Sequence, residues 1–395
     1  MIQNFNFASI PHIIFGAGKL KGLYDLIPNF GNNILFVIGG NSLRRSGKWN
    51  EISSAMENRS INYSFVSVDS EPSPTLIDEI VANFRKQKID LIIGIGGGSV
   101  TDAGKAISAM LTKDDSIKNY LERVGTKIHD GAKIPYIAIP TTSGTGSEAT
   151  KNAVISDTGP EGFKKSLRHD NLIPNIALID PELMISCPPS ITAACGMDAF
   201  TQLLEAYVST KASPMTDALA YSGIKQMQNN MILACSSGAT DINVRAAMAY
   251  GSLMSGITLA NAGLGIVHGL ASPIGGFFDI PHGVVCGTLL AEATKINIKR
   301  LKEQGSAGKV ALKKHANIGA LLSGEAPNLK GNIDKSCSVL IDILEKWTVE
   351  LKIDRLGKYG IASEDIEKII KNTRLRNNPV NLNDNDIKTI ILNRL

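Results

Sequence analysis

The stretch Asp90-Leu-Ile-Ile-Gly-Ile-Gly96-Gly97-Gly98-Ser99-Val-Thr-Asp102 reads as a buried strand, a glycine turn and a helix start. Its apolar run is short and unbroken, the pattern of a strand covered on both faces. Glycines let a backbone approach a pyrophosphate closely, and a helix N-terminus offers unpaired N–H groups and a favourable dipole. The spacing is not that of a P-loop, since Ala106 stands where the metal-binding Ser or Thr belongs. Nor is it a clean G-x-G-x-x-G. Ser99 and Asp102 also fit a capping box, a purely structural reading of those two residues. Three consecutive glycines at a strand-to-helix turn favour phosphate contact.

Outward from this turn, short apolar runs alternate with amphipathic helical stretches as far as about residue 180. The runs are Ile34 to Ile38, Tyr63 to Val68, Leu91 to Ile95, Tyr136 to Ile139 and Ile176 to Ile179, with helical pattern at Thr75 to Gln87 and Thr101 to Leu111. Such alternation predicts a parallel sheet flanked by helices. After Cys187-Pro188-Pro189 the pattern becomes long helical segments rich in Ala, Leu and Met. The expected architecture is an α/β dinucleotide-binding domain over residues 1–186 and an all-helical domain over 187–395. A second polar, glycine-rich turn, Pro140-Thr141-Thr142-Ser143-Gly144-Thr145-Gly146-Ser147-Glu148, follows the next strand and can line the same cofactor. It lacks the G-x-S-x-G pattern of a nucleophile elbow.

The chain has 395 residues, room for roughly two domains. A net charge of +4, with no basic cluster beyond short Lys/Arg pairs, predicts neither a nucleic-acid nor a membrane partner. Cys187, Cys195, Cys235, Cys286 and Cys337 are scattered and form no C-x-x-C, which suits reduced thiols and a cytoplasmic location. The start, MIQNFNFASIPHIIFGAG, lacks the basic and apolar regions of a signal peptide.

Three metal-ligand-type residues stand out in the second half: Asp198, His268 and His282. Ala199, Leu203, Ala206 and Tyr207 recur at helical spacing, which puts Asp198, Gln202 and Glu205 on one helix face. One carboxylate and two imidazoles are a donor set that Zn²⁺ or Fe²⁺ accepts with positions left for substrate. A satisfied core Asp with two helix-cap histidines is the structural alternative.

Gly96-Gly-Gly-Ser-Val-Thr-Asp-Ala-Gly-Lys105, Pro140 to Glu148, Gly196-Met-Asp-Ala and the His268/Pro281-His282-Gly283 region together resemble the iron-containing (group III) alcohol dehydrogenases, over nearly the whole chain. The resemblance implies hydride transfer between NAD(P)(H) and an alcohol or aldehyde, helped by iron or zinc, in a cleft between the two domains. Asp198, His268 and His282 would be the ligands. The family's other ligand, a histidine, is replaced by Gln202, a weaker neutral donor and a possible fourth contact, so a weakened metal site is expected. A second family histidine is replaced by Ser272, which can relay a proton only through water and predicts modest turnover or an altered pH profile. Glu205 is a candidate to replace the lost ligand, but a supporting or helix-packing role is expected of it.

The implied cofactor contacts are Gly39, Gly40, Asn41 and Ser42, then Gly97, Gly98, Ser99 and Asp102, then Thr141, Thr142, Thr145, Asn152 and Leu183, with Lys164 or Lys165. Gly40 replaces the acidic residue with which NAD-using members hold the adenosine ribose, and Arg44 and Arg45 follow it. A guanidinium suits a 2′-phosphate, so NADP(H) is expected over NAD(H). The family also implies a homodimer or larger homo-oligomer.

His12, His129, His169 and His315 read as solvated, and Met227, Met231, Met248 and Met254 as core. Cys195 and Cys286 flank the metal motifs and read as small buried hydrophobes, with no base evident beside them. Phe163, Phe277 and Phe278 are candidates for shaping the substrate pocket. Rival readings are a metal-independent reductase resembling the maleylacetate reductases, a lyase resembling dehydroquinate synthase, and a degenerate nucleotide-binding protein without turnover.

Overall fold

The computed structural model describes residues 4–325 and 332–395. Its first half contains, in order, β1 (His12–Phe15), α1 (Leu23–Leu26), β2 (Asn33–Gly39), α2 (Ser42–Arg45), α3 (Lys48–Asn58), β3 (Asn62–Val68), α4 (Pro74–Phe84), β4 (Leu91–Gly96), α5 (Gly98–Met110), β5 (Tyr136–Pro140), β6 (Asn152–Asp157), β7 (Phe163–Arg168) and β8 (Ile176–Ile179). Six of these strands form one sheet in the order β1-β8-β5-β4-β2-β3, every neighbouring pair parallel. Alternate residues feed cores on its two faces. Leu35, Val37 and Ile92 pack with Ile107 and Tyr136, while Phe36, Ile38, Ile93 and Ile95 pack with Ile52 and Ile139. Burial on both faces explains the unbroken apolar runs.

The chain leaves β2 for β3 on one side and leaves β4 for β5 on the other. The turns after β2 and β4 therefore flank the point where strand order reverses, the place where open parallel sheets bind ligands beyond their strand ends. An antiparallel hairpin, β6 with β7, stands apart from the sheet.

The second half is helical: α6 (Pro189–Val208), α7 (Pro214–Met227), α8 (Met231–Ala234), α9 (Ile242–Ala262), α10 (Ile266–Phe277), α11 (His282–Glu303), α12 (Lys309–Leu322), α13 (Ile333–Glu350), α14 (Ile366–Asn372) and α15 (Asp384–Leu392). Pro188 and Pro189 start α6, where proline's fixed φ suits a first turn. Met197, Phe200, Leu203, Met248, Leu270 and Leu289 share one large core, which also takes in Ala177 and Ile179 of β8. The halves meet closely at Gly146, whose φ is +61° and whose Cβ, if present, would lie 2.5 Å from the Ser252 carbonyl of α9. On the other side, Gly159 N–H donates to the Gly276 carbonyl, which seats the hairpin against α10. Among the described residues no single helix is long and apolar enough to cross a membrane; α9 and α10, bent 99° apart, pass that test only as a pair.

Candidate metal and cofactor site

Helices α6, α10 and α11 bring Asp198, His268, His282 and Cys286 together, with one donor atom from each lying within 4.8 Å of the others. Asp198 Oδ1 is 3.3 Å from His268 Nε2 and 3.6 Å from His282 Nε2. Cys286 Sγ is 3.6 Å from the first imidazole nitrogen and 3.7 Å from the second. Glu205 sits behind His268 and accepts from its Nδ1 at 2.7 Å. The same carboxylate accepts from Val267 N–H at 2.7 Å, at the start of α10, where a negative charge suits the helix dipole. These bonds hold the proton of a neutral imidazole on Nδ1 and turn the Nε2 lone pair inward.

The cluster is therefore short of donors. Asp198 Oδ1 is buried and has no hydrogen-bond partner, and neither has His282 Nδ1. Burial pushes the Asp198 carboxyl up, but the His282 and His268 imidazoles outweigh it and hold it near 2. Burial opposes charge on His268; the carboxylates of Asp198 and Glu205 override it and raise its pKa well above the ordinary value, so without a cation this ring draws in the proton that answers them. Burial also lowers His282 to about 4 and raises the Cys286 thiol to about 12. The surroundings thus call for positive charge at a point ringed by lone pairs. A divalent cation fits that requirement, and these donors suit one.

Gln202 is buried on the same helix as Asp198, but its side-chain oxygen accepts from Ser255 Oγ at 2.9 Å. Ser272 Oγ donates to the Lys164 carbonyl at 3.0 Å, joining α10 to β7. Cys286 lies between two imidazoles, not merely among apolar neighbours. Its position four residues after His282 on one helix was the available signal.

On the sheet side, α5 begins at Gly98 with Gly97 as its N-cap and no side-chain cap. The capping box of Ser99 and Asp102 does not form, because Asp102 accepts instead from Ser147 Oγ at 2.5 Å. The first-turn N–H groups of α5 are thus not taken by a capping side chain. A Cβ on Gly98 would lie 2.6 Å from Thr145 Cγ2, so the two glycine-rich turns are in contact. Thr142 reaches within 3.4 Å of the equivalent point on Gly97. Gly39, Gly40, Asn41 and Ser42 line the turn after β2, where Arg44 lies 5.1 Å over the Phe65 ring. Asp69, at the end of β3, comes within 2.5 Å of where a Gly40 Cβ would stand.

Successive residues of β7 point to opposite faces, which separates the two lysines. Lys164 pairs with Glu71 and lies beside Gly275 of α10, and its charge acts on both His282 and Asp102. Lys165 feels Arg123 and Arg376 instead. Asn152 donates to Ser166 Oγ across the hairpin, and Leu183 is buried in the sheet core beyond β8. Phe163 packs against Gly276, the residue before Phe277.

Two histidines differ from expectation. His129 and His315 are buried, not solvated. His315 is held by the Ala311 carbonyl one turn back, and burial lowers it to about 4; His129 packs edge-on against Tyr120. Met227, Met231, Met248 and Met254 are core, and all five cysteines are free.

A parallel sheet with an open glycine turn faces a helical half with converging metal-type ligands, and the comparisons assign this two-part architecture to a family. Residues 11–181 match the iron-containing alcohol dehydrogenase family, and residues 192–395 match the C-terminal part of the Fe-containing alcohol dehydrogenase family. The chain is 34% identical to long-chain-alcohol dehydrogenase 1 of Geobacillus thermodenitrificans, over 97% of this chain and 94% of that protein. It is 30% identical to an NAD-dependent methanol dehydrogenase of Bacillus methanolicus (99% and 100% covered). It is also 30% identical to an NADPH-dependent butanol dehydrogenase of Clostridium saccharobutylicum (96% and 95%). The crystal structure of an archaeal halo-thermophilic alcohol dehydrogenase from a Red Sea brine pool superposes with a TM-score of 0.89 at 25% identity, covering 100% of this chain and 99% of that one. The chain belongs to the iron-containing alcohol dehydrogenase family. It is an NAD(P)-dependent oxidoreductase acting on CH–OH groups, in a family that uses a divalent metal.

Proposed function

We propose that this chain interconverts a small alcohol and its aldehyde with NADP(H) as preferred cofactor, and that Asp198, His268 and His282 hold the divalent cation. The observation that carries this reading is the ring of buried acceptors around Asp198 Oδ1, which has no hydrogen-bond partner. When bound, the cation polarises the substrate oxygen and the nicotinamide carries the hydride. The chain's own residues do the positioning. Gly97 and Gly98 let a pyrophosphate approach the open start of α5, with Ser99, Thr141, Thr142 and Thr145 alongside. Glu205 fixes the His268 ring, and Lys164, paired with Glu71, acts by its charge on His282 and Asp102. Gly39, Gly40, Asn41, Ser42, Asp102, Asn152 and Leu183, with Lys164 or Lys165, complete the proposed cofactor contacts. Gln202 is an auxiliary contact weakened by its bond to Ser255. Ser272 Oγ donates to a carbonyl yet keeps acceptor capacity, so it passes a proton only by way of water. Introducing an imidazole with Ser272→His is expected to change the pH profile between pH 6 and 10, and coincident profiles would remove Ser272 from the reaction.

Residues 1–186 serve as the cofactor domain and 187–395 as the metal domain. Arg44 and Arg45 beside the side-chain-free Gly40 support NADP(H). Asp69 at the same turn favours a second reading, NAD(H), since a carboxylate there opposes a 2′-phosphate. The ratio of kcat/KM for NADPH and NADH decides between them. We take the working unit to be a cytoplasmic homodimer or larger assembly; the edge strand β1, with exposed Phe5 and Ile10 before it, offers a surface for that, and light scattering tests it.

The main test is elemental analysis of the purified protein together with NADPH oxidation on a short aldehyde panel, before and after chelation. Bound metal and chelator-sensitive turnover are expected. Undiminished turnover by metal-free protein would move the chain to a metal-independent chemistry.

A further inference from the structure

We infer that Cys286 is a fourth protein ligand to the cation, its thiolate making up the donor that Gln202 replaces only weakly. This rests on the metal reading proposed above. His282 and Cys286 stand four residues apart on α11 and so project from one helix face. Sγ lies 3.6 and 3.7 Å from the two imidazole Nε2 atoms, which are 3.3 and 3.6 Å from Asp198 Oδ1. Donors held about 2.0–2.3 Å from one tetrahedral ion stand about 3.3–3.6 Å from each other, close to this set of spacings.

Hydrogen bonding alone does not account for the arrangement. The thiol's single proton faces the Nε2 atoms of two imidazoles at once, and Asp198 Oδ1 beside them has no hydrogen-bond partner. Gln202 is only a weak substitute for the missing donor, a neutral amide whose oxygen already accepts from Ser255. Charge also balances: Asp198 and a thiolate together carry two negative charges, matching a dication. On binding, the S–H bond breaks, its proton leaves to the solvent and the S–metal bond forms, so binding releases a proton. His282 is 24% exposed at its side chain, which leaves one side of the cluster accessible to substrate. A sulfur donor shifts selectivity toward zinc and cobalt and away from magnesium and manganese.

The test is to strip the full-length protein with a chelator, reload it with Co²⁺, and record metal stoichiometry alongside the absorption spectrum. One cobalt per chain with a sulfur-to-cobalt charge-transfer band in the near ultraviolet is expected. X-ray absorption on the zinc form should show sulfur at about 2.3 Å. Cys286→Ser and Cys286→Ala should each lose the band and the sulfur shell and bind zinc at least tenfold more weakly. Stoichiometric cobalt without the band in the unaltered protein overturns the thiolate while leaving the metal reading intact. A band that survives in Cys286→Ser assigns it to another cysteine and overturns the inference as well. No stoichiometric cobalt overturns both.

Discussion

Lys105 and Asp198 are each 1% exposed, yet the polar groups around them are arranged in opposite ways. The three protons of the Lys105 ammonium are shared among four acceptors, the Ser147 carbonyl at 2.8 Å, Ser147 Oγ at 3.0 Å, Thr150 Oγ1 at 3.0 Å and the Asn152 carbonyl at 2.7 Å. Asp102 stands 3.7 Å away and accepts from Ser147. Asp198 Oδ1 and His282 Nδ1 have no hydrogen-bond partner at all. A buried polar group without a partner is costly, so a folded chain keeps one only where something else completes it. The lysine cluster fastens α5 to the second glycine turn and the hairpin. The aspartate cluster is left for a ligand. Two buried charges of similar exposure thus have different purposes, and hydrogen-bond completeness tells them apart.

The largest expected effect comes from removing the focus of the incomplete cluster. Asp198→Ala should abolish stoichiometric metal binding and lower kcat by about 10³-fold or more, the several kcal/mol that charge stabilisation by a metal supplies. Elemental analysis and steady-state rates measure both. Retention of full activity would show that the unpaired oxygen is not a ligand. The complementary experiment breaks the complete cluster. Lys105→Met leaves Asp102 buried without its counter-charge and takes one donor from each of the Ser147 and Asn152 carbonyls, and should cost about 3–5 kcal/mol of stability in urea unfolding while the folded fraction still binds metal. Loss of metal with unchanged stability would reverse the assignment of the two clusters.

Much of this contrast follows from patterns of different range. The runs at Ile34 to Ile38 and Leu91 to Ile95 identify strands because a doubly covered strand must be apolar throughout. The hairpin strand β7, Phe-Lys-Lys-Ser-Leu-Arg, carries no such signal; its contacts are with Glu71 and α10. Strand β1 has only four residues and lies at the sheet edge. Helix α5 begins at Gly98, three residues before Thr101, since glycines suppress the local helix signal while the phosphate turn requires them. Asp198, His268 and His282 are visible as residue types, and the motif resemblance orders them. Cys286 and the burial of Lys105 are not visible in that way. Each has one partner on its own helix, His282 or Asp102, but the others lie on distant elements, and a lysine in a helix ordinarily reads as solvated.

Glu148 offers a smaller and pH-dependent test of the lysine side. It is 3% exposed, and burial raises its carboxyl to about 7 from an ordinary 4.5. A raised carboxyl makes the folded state bind the proton more tightly. The resulting stabilisation is full below about pH 4.5 and is lost as pH rises through about 7. Glu148→Gln cannot ionise. Its stability relative to the unaltered protein should therefore improve between pH 5 and pH 8, by on the order of 2–3 kcal/mol. A difference that stays flat across that range would mean the carboxylate is stabilised by a partner, as Asp102 is by Ser147.

The finest test concerns Glu205, the point at which the complete and incomplete arrangements join. Its carboxylate is satisfied by Val267 N–H and His268 Nδ1, and through the second bond it sets which imidazole nitrogen faces the cluster. Glu205→Gln keeps the size and one acceptor oxygen. If that oxygen stays on Val267 N–H, the amide presents its NH₂ to His268, and the ring must place its proton on Nε2 to accept there. The lone pair then leaves the cluster. Metal affinity should fall by about 10–100-fold, the usual cost of losing such a support, with little change in unfolding stability. Glu205→Asp, which shortens the reach but remains an acceptor, should recover part of that affinity. Equal loss in both variants would assign Glu205 to packing at the start of α10 and leave the tautomer of His268 to be set by the cation alone.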